Sequence, residues 1–266
     1  MFVLTIMLTY GIWLSVRCLL LDYFTIPSLS MEPTLQLGDK VVVNKMLIGA
    51  RLYKDLHFYP NGQELKSWRL KGIRELRHND IVVFNFPHHK DIISFVINNV
   101  YCKRVVGMPG DSLSIVNGHY HNNNYKGILG DEKMQSQLEQ TPDSMVYQPA
   151  LAAFPYSWRF AWTIRNFGPM YIPRKGDIIN INPYEATLYK MILAWETGKP
   201  IECDWESNTV WAGDKRIYHH QWQHNYYFMA GDNVINSYDS RYWGLVPEEY
   251  VVGVVNHIIK KEKGEI

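Results

Sequence analysis

Short runs rich in β-branched residues constrain the fold of this chain more than any other feature. The runs occupy residues 40–45, 80–86, 101–107, 112–118, 177–183 and 251–260. Turn pairs that join a residue tolerant of positive φ to an aspartate recur along the chain, at Gly38-Asp39, Asn79-Asp80, Gly110-Asp111, Gly176-Asp177 and Gly231-Asp232. Short β-branched runs entered through such turns are typical of antiparallel strands. The sequence therefore predicts a mainly β protein built on an antiparallel sheet.

The N-terminus is apolar enough to suggest a membrane anchor. Residues 1–21 contain a single ionised side chain, that of Arg17. About 20 apolar residues span a bilayer, and an arginine near one end can extend its guanidinium to the headgroups, so residues 2–21 are predicted to form one transmembrane helix. A cleaved secretory signal is the alternative, because Ser28-Leu29-Ser30 offers small residues at cleavage-site spacing. The absence of a basic region before the apolar run favours the anchor.

Length, charge and cysteine content exclude several classes of protein. The 266 residues suit one elaborated domain, and a formal net charge of +1 gives no basic footprint for nucleic acid. Cys18, Cys102 and Cys203 are scattered and form no CxxC pair. Neither a disulfide framework nor a zinc site is therefore encoded by the cysteines.

Two stretches interrupt the β pattern and are interpreted as insertions. Residues 46–78 are polar and mixed in charge, and residues 119–172 include an aromatic string, YSWRFAW. Residues 184–198 place four apolar side chains at helical spacing, those of Leu188, Met191, Ile192 and Trp195. That spacing predicts a short helix packed on the sheet.

Ser28 and Ser30 lie just beyond the apolar N-terminus, and either one would need a base to act as a nucleophile. Histidine is the usual base, but the histidine clusters carry no surrounding motif and look solvated; they are His88-His89, His119-Tyr120-His121 and His219-His220. A metal-binding role for these clusters is not favoured, since no carboxylate lies at helical spacing from them.

Lysine is the other possible base, and Lys103 is the candidate. It lies in the apolar run VYCKRVVG, where strand alternation predicts that Arg104 points to the opposite face. Keeping a lysine neutral at pH 7 requires a pKa shift of about 3.4 units, or about 4.6 kcal/mol, which burial can supply. Taken alone, Lys103 also fits an exposed lysine on an edge strand.

Four segments, in this order, resemble the bacterial type I signal peptidase family of Ser-Lys leader peptidases. They are IPSLSMEPTL at 26–35, LGDKVVVNK at 37–45, YCKRVVGMPGDSL at 101–113 and GDNVINSYDSRYWGLVPEEYVVG at 231–253. The resemblance implies an antiparallel β catalytic domain with smaller inserted α+β segments, preceded by one N-terminal transmembrane helix. The implied domains are an anchor at 1–22, a catalytic core at 23–118 and 226–266 with the 46–78 insertion, and a non-catalytic subdomain at 119–225.

The resemblance also implies roles for individual residues. Ser30 is the implied nucleophile and Lys103 the general base, while Ser28 and the backbone N–H of Ser30 form the oxyanion hole. Ser237 matches a hydroxyl that hydrogen-bonds the lysine amine, and Asp239 and Arg241 match a supporting ion pair. Six residues are implied to lie near shallow substrate pockets, namely Phe24, Ile26, Met31, Leu35, Tyr101 and Cys102.

The sequence departs from the family pattern at several positions. Leu29 stands where the family has glycine between the two serines, so the backbone could be less free or the pocket edge bulkier. Further departures are Glu32 in place of Met, Val234-Ile235 in place of a polar pair and Asn79 in place of Gly. None of these departures removes a reacting group, so they bear on substrate preference.

The function implied by the resemblance is removal of signal peptides from exported preproteins by cleavage after small residues, of Ala-x-Ala type. It implies no cofactor or metal, a lipid bilayer as the second partner, a monomer, and a catalytic domain on the outer face of the cytoplasmic membrane. Self-cleaving repressors share the chemistry, but they would need a DNA-binding module and no anchor. An inactive membrane-tethered binding protein that uses 46–78 and 119–172 for recognition remains the alternative.

Overall fold

The computed structural model describes residues 2–89 and 92–261. Residue 1 of the predicted anchor and residues 90, 91 and 262–266 of the predicted core lie outside these ranges. The helices are α1 Phe2–Leu19, α2 Glu132–Gln140, α3 Gln148–Leu151, α4 Pro183–Leu188, α5 Lys190–Thr197 and α6 Ser240–Trp243, with 3₁₀ turns at Asp143–Met145 and Glu248–Tyr250.

The strands are short, and six of the nineteen in the described part of the chain follow the β-branched runs of the sequence. They are β1 Leu21–Thr25, β2 Lys40–Asn44, β3 Arg51–Tyr53, β4 Ser67–Arg69, β5 Ile81–Asn85, β6 His88–His89, β7 Ile92–Ile93, β8 Val100–Gly107, β9 Ser112–Val116, β10 His119–Asn122, β11 Phe167–Tyr171, β12 Ile178–Asn180, β13 Ile201–Asp204, β14 Thr209–Ala212, β15 Lys215–Arg216, β16 His219–Gln221, β17 Tyr226–Ala230, β18 Val246–Pro247 and β19 Val251–Ile259. The protein is therefore mainly β, as predicted.

Seven strands form the main sheet, in the order β1-β2-β19-β5-β8-β17-β18. Every neighbouring pair in this sheet is antiparallel. Register shifts interrupt β19 between Val255 and His257 and again between Val251 and Gly253. Such bulges bend a strand and increase its twist, so the sheet curls at its centre.

Helix α1 ends earlier than the predicted span. The helix stops at Leu19, and residues 21 and 22 already belong to β1, which pairs with β2 from Leu21↔Asn44 onward. Arg17 does not stand alone near the helix end, because its guanidinium donates to the Asp22 carboxylate over 2.7 Å. In the described part of the chain, no helix combines the length and the apolar character that crossing a bilayer requires.

The predicted insertions have structure of their own. Residues 46–78 contain the β3–β4 hairpin, in which Leu52 pairs with Trp68. Segment 119–225 supplies β10 and β11, which flank β9 of the predicted core in one sheet. One hydrophobic cluster also contains residues of both parts, such as Val105 and Ile192. The boundary of the 119–225 subdomain thus stays a prediction.

The helical stripe at 184–198 forms two helices in place of one. Helices α4 and α5 meet at Tyr189, whose φ of −107° and ψ of 17° interrupt regular helical geometry. Leu188 and Ile192 are buried in the large cluster, as expected for a helix packed on the sheet. Gly198 ends α5 in the left-handed conformation, with φ 63°, which glycine adopts without a steric penalty.

Candidate active site

The site begins with Ser30, in the loop that leaves β1. Two backbone bonds close the base of this loop, from Ile26 N–H to the Asp39 carbonyl at 2.8 Å and from Gly38 N–H to the Ile26 carbonyl at 2.9 Å. The Asp39 carboxylate is buried and accepts the Gln36 N–H over 2.9 Å. The turn at Gly38-Asp39 therefore fixes both ends of the loop that carries the serines.

The sheet brings Ser30 to Lys103 although β1 and β8 are not neighbours. Three strands, β2, β19 and β5, separate them in the sheet order, so a flat sheet would hold β1 and β8 about 19 Å apart at about 4.8 Å per strand. The Lys103 Nζ nevertheless lies 2.5 Å from the Ser30 Oγ. Curling of the sheet and return of the 26–39 loop over β8 close this gap.

The amine of Lys103 lies in a dry environment. The residue is 4% exposed, and its partner in β5 is the fully buried Val82. Burial lowers the pKa of Lys103 below its ordinary value, against an opposing pull from the Asp239 carboxylate. An edge-strand surface lysine is therefore the wrong description of Lys103, and the neutral amine is favoured relative to a solvated lysine.

Ser28 lies beside the nucleophile candidate. Its Oγ is 3.2 Å from the Ser30 Oγ. The backbone N–H of Ser30 makes no hydrogen bond with any described residue, so it remains available as a donor. A free backbone N–H and a nearby hydroxyl are the groups that an oxyanion hole requires.

Asp239 and Arg241 form a bidentate ion pair that is buried and not at the surface. The Arg241 Nε and a second guanidinium nitrogen each donate to one Asp239 carboxylate oxygen over 2.8 Å, and both side chains are at most 1% exposed. Burial alone would raise the pKa of Asp239, but the charge and hydrogen bonds of Arg241 outweigh it and hold that pKa below its ordinary value. The Gly231 N–H also donates to Asp239, over 2.9 Å.

Ser237 lies close to this pair and does not hydrogen-bond the lysine. The residue is 6% exposed, and its hydroxyl has no partner at hydrogen-bonding distance among the described side chains. A methyl group built on Gly231, whose N–H donates to Asp239, would overlap the Ser237 hydroxyl, which places Ser237 on the Asp239 side of the site. The bond from Ser237 to the Lys103 amine that the resemblance implies is not formed in this structure.

Sequence reasoning missed the residues that attach the serine loop to the rest of the site. Asp232 is 1% exposed and binds Arg104 through two bonds of 2.7 and 2.6 Å. It also accepts the Thr34 hydroxyl at 2.5 Å, and the neighbouring Asn233 N–H donates to the Ser30 carbonyl over 3.1 Å. Asp232 was interpreted only as a turn residue, and its place within the family-like segment at 231–253 was the available signal.

An open groove of about 550 Å³ is lined by Ser30 and Lys103. Of the six residues predicted near substrate pockets, four line the groove, namely Ile26, Met31, Tyr101 and Cys102. Leu35 is fully buried, and Phe24 packs against the hydrophobic cluster that contains Leu35, Ile26 and Met31. Neither residue lines the groove, so their proximity to a substrate pocket stays a prediction. The remaining lining residues, besides the serines and Lys103, are Pro27, Leu29, Val100, Asn236 and Tyr238.

Cys102 is a further potential nucleophile among the residues that line the groove, but its thiol is protonated at neutral pH. Cys102 is a free thiol, and burial raises its pKa to about 12. The histidines do not approach the pair; His88, predicted to be solvated, has both ring nitrogens buried, and burial lowers its pKa to about 4. Within the described part of the chain, no cluster of three or more His, Cys, Asp or Glu side chains has the arrangement of a metal site.

A serine hydroxyl at an open groove, with a buried lysine amine within hydrogen-bonding distance, supplies the nucleophile and base that a serine-type peptidase needs. A family model described as signal peptidase, peptidase S26, matches residues 1–260. The chain belongs to this family.

Individual relatives carry the same name. The signal peptidase I of Buchnera aphidicola subsp. Schizaphis graminum is 28% identical over 265 residues, covering 94% of this chain and 71% of that protein. The signal peptidase I of Pseudomonas aeruginosa is 29% identical over 252 residues, covering 90% of this chain and 65% of that protein. A solved signal peptidase I from Enterococcus faecalis matches 70% of this chain and all of its own, at 18% identity and a TM-score of 0.34.

Proposed function

We propose that this chain is a membrane-anchored serine endopeptidase that removes signal peptides from exported preproteins. Ser30 is the nucleophile and Lys103 the general base in this proposal, with cleavage after small residues of Ala-x-Ala type. The observation that carries it is the 2.5 Å approach of the Lys103 Nζ to the Ser30 Oγ at a place where the lysine is 4% exposed. The chain spans 65 to 71% of the length of the Pseudomonas and Buchnera relatives, so the activity is proposed for the part represented here.

In the first half of the reaction, the neutral Lys103 amine accepts the Ser30 hydroxyl proton while the Ser30 Oγ forms a bond to the scissile carbonyl carbon. The negative charge that develops on the carbonyl oxygen is stabilised by the Ser30 N–H and the Ser28 hydroxyl. The resulting Lys103 ammonium then protonates the leaving amine as the C–N bond breaks. The signal peptide remains attached to Ser30 as an ester, and the mature protein leaves.

In the second half, Lys103 is again neutral and accepts a proton from water. The oxygen of that water forms a bond to the ester carbonyl carbon, and the bond to the Ser30 Oγ breaks. The ammonium returns its proton to the serine, and the signal peptide leaves as a carboxylic acid that ionises by releasing its proton to water. No metal or cofactor takes part in this scheme.

The buried Asp239–Arg241 pair serves as a support in this scheme. It fixes the 231–241 loop through the Gly231 N–H and through a bond of 2.7 Å from Arg241 to the Val234 carbonyl. Ser237 belongs to the same loop, so the pair also helps to fix the position of its hydroxyl. A merely exposed ion pair would contribute little to such rigidity.

The proposed location is the outer face of the cytoplasmic membrane, with α1 as the anchor. The support is the exposure of the apolar side chains along α1, which include Leu4, Met7, Leu8, Tyr10 and Ile12. The β3–β4 hairpin adds a second apolar surface, since Trp68 and Leu70 are exposed while Arg69 between them points inward and donates to the Val251 carbonyl over 2.5 Å. Apolar side chains interspersed with Lys66 and Lys71 would suit an anionic lipid surface.

The membrane part of the proposal is tested by flotation of the purified chain with phosphatidylglycerol-containing vesicles. We expect the full chain to float, a chain lacking residues 2–19 to float less, and high salt to weaken the remaining binding. Lack of vesicle binding by the full chain would contradict the anchor while leaving the peptidase proposal intact. Partnership with nucleic acid has no support in the sequence, and a monomeric protein is expected in gel filtration.

The peptidase part is tested by giving the detergent-purified chain a preprotein that carries an Ala-x-Ala site. We expect one cut directly after the second alanine, located by the mass of the products. The rival hypothesis, an inactive tethered binding protein on the same fold, predicts that the preprotein binds and stays whole. Failure to cut any preprotein would favour this rival.

A further inference from the structure

The groove has a buried floor and an exposed rim. Ile26 and Met31, on the floor, are 3% and 1% exposed. Leu29 and Tyr238 also line the groove but are 41% and 55% exposed. These two large side chains, the rim pair, therefore present apolar surface at the mouth of the groove, close in sequence to Ser30 and Ser237.

Leu29 is held rigidly in this position. Its carbonyl oxygen accepts two hydrogen bonds of 3.1 Å, one from the Glu32 N–H and one from the Asn233 side-chain amide. Leu29 does not have a positive φ, so the backbone here does not require glycine. The substitution of leucine for the family's glycine thus changes the shape of the groove edge and leaves the backbone unstrained.

Tyr238 is held from the other side. Its ring stacks on Tyr242 with centroids 5.7 Å apart and an interplanar angle of 27°. The Tyr242 hydroxyl donates to the Ala150 carbonyl over 2.7 Å, which links the rim to helix α3 of the inserted segment. Phe86 approaches Tyr238 to 6.3 Å between ring centroids and stacks on Tyr101 in the groove. The tyrosine is therefore a supported part of the wall.

An extended substrate would present alternate side chains to the floor and to the mouth of this groove. Successive side chains of a strand point to opposite faces, so the two small residues of an Ala-x-Ala site share one direction and the middle residue takes the other. We place the two small side chains toward the floor, which Ile26 and Met31 form in part. The middle side chain then lies at the mouth, between Leu29 and Tyr238.

We infer that the rim pair selects an apolar side chain at the middle position of the cleavage site. This inference rests on the proposed function. It assigns a side-chain preference to the middle residue of the cleavage site, whereas a groove without large side chains at its rim would accept any residue there. The attraction is burial of apolar surface against the Leu29 side chain and the Tyr238 ring, whereas a carboxylate at this position would lose solvation on entering. The rim pair acts on specificity and takes no part in proton transfer.

The test compares preproteins that differ only at the middle residue, with Gly, Leu, Phe or Asp there. For the natural sequence we expect kcat/KM for Leu and Phe to exceed that for Gly by at least about fivefold, at the low end for a partly exposed apolar contact. The double variant Leu29→Ala with Tyr238→Ala is expected to reduce this ratio below about twofold, mainly through KM. Leu29→Ala alone is expected to give an intermediate ratio.

The matched control is Ile178→Ala, which removes another exposed apolar side chain, in strand β12 outside the groove. It is expected to retain the full preference. Equal rates for the four substrates, or an unchanged preference in the double variant, would overturn the inference. Cleavage of the Gly substrate by each variant shows that the variant is folded. If the natural sequence cuts none of the substrates, the proposed function itself fails, which is a distinct result.

Discussion

The backbone N–H of Asn233 donates to the carbonyl oxygen of Ser30 over 3.1 Å. This bond joins the loop that follows β1 to the loop that follows β17. The Asn233 side chain reinforces this contact through Leu29, and the adjacent Asp232 carboxylate binds Arg104 on β8. Since Arg104 is next to Lys103 in the strand, one short segment fixes both the serine and the lysine. Relative motion of the Ser30 hydroxyl and the Lys103 amine is thereby restricted, as proton transfer between them in the proposed mechanism requires.

Removing either reacting group should abolish cleavage. For Ser30→Ala and Lys103→Ala we expect kcat/KM to fall by at least about 10³-fold, because residues that act as a unit each account for most of the rate. The measurement is the initial rate of preprotein cleavage in detergent. Lys133→Ala, which removes an exposed lysine in α2, is the control and should retain the natural rate. Full activity of either site variant would end the Ser-Lys mechanism.

The activity should depend on pH through Lys103. The active form carries a neutral amine, and burial lowers the Lys103 pKa below the ordinary 10.5. The rate is therefore expected to be high above this lowered pKa and to fall as the pH drops through it. A profile of kcat/KM against pH, restricted to the range in which circular dichroism shows an intact fold, measures the titration. A flat profile into acid, with chemistry limiting the rate, would rule out an amine base.

Loss of the Ser28 hydroxyl should slow the chemical step while leaving substrate binding nearly intact. Removal of one oxyanion-hole donor typically costs about 10²- to 10³-fold in kcat. We expect Ser28→Ala to show such a loss with little change in KM, and Ser28→Thr to recover part of the rate. An equal rise in KM with an unchanged kcat would instead indicate that Ser28 contacts substrate in its ground state.

The Asp239–Arg241 pair should be a strong determinant of stability. Asp239→Asn leaves Arg241 buried without its counter-charge, and breaking one partner of a buried pair costs about 3–5 kcal/mol of unfolding free energy. The check is the urea midpoint, with Lys66→Ala as control, because that residue belongs to a pair in which both side chains are more than half exposed. Equal midpoints for Asp239→Asn and the natural sequence would contradict the structural role of the pair.

The Asp239 carboxylate also makes the free energy of unfolding depend on pH in acid solution. The folded pKa of Asp239 is held below the ordinary 3.8, so its stabilising contribution is fully present above that value. It is lost as the pH falls below 3.8 toward the lowered folded pKa. The urea midpoint of the natural sequence should therefore decline in strong acid, and that of Asp239→Asn should decline less.

Most of the sheet could be predicted from local sequence. The β-branched runs at 40–45, 101–107 and 251–260 all form strands within a residue of the expected bounds, because side-chain shape and turn residues act locally. The run at 177–183 gives only the short strand at 178–180. Strand β17 has five buried residues in succession and lacks the alternation that marks a strand, which explains why it was not predicted as one.

The site could be predicted only in part. Ser30 and Lys103 were identified through short motifs, and their approach depends on sheet curvature that no local pattern encodes. Arg241 was given a supporting role, but its complete burial follows from packing between distant segments. The contacts of Asp232 and Asn233 are of the same kind, since they join residues far apart in the chain. In the sequence, the Gly231-Asp232 pair that precedes Asn233 looks the same as the Gly-Asp pairs at ordinary turns, so its long-range contacts cannot be predicted from it.

Gly231 lies where the serine loop and the loop carrying Ser237 come closest. A methyl group placed on its backbone would overlap the Ser30 carbonyl oxygen and the Ser237 Oγ. Even alanine at position 231 would therefore force the loop that carries Ser30 and the loop that carries Ser237 apart. The close approach of these two loops thus requires glycine at position 231, so substitutions that reshape the groove are expected to be tolerated at its exposed rim and not at this contact.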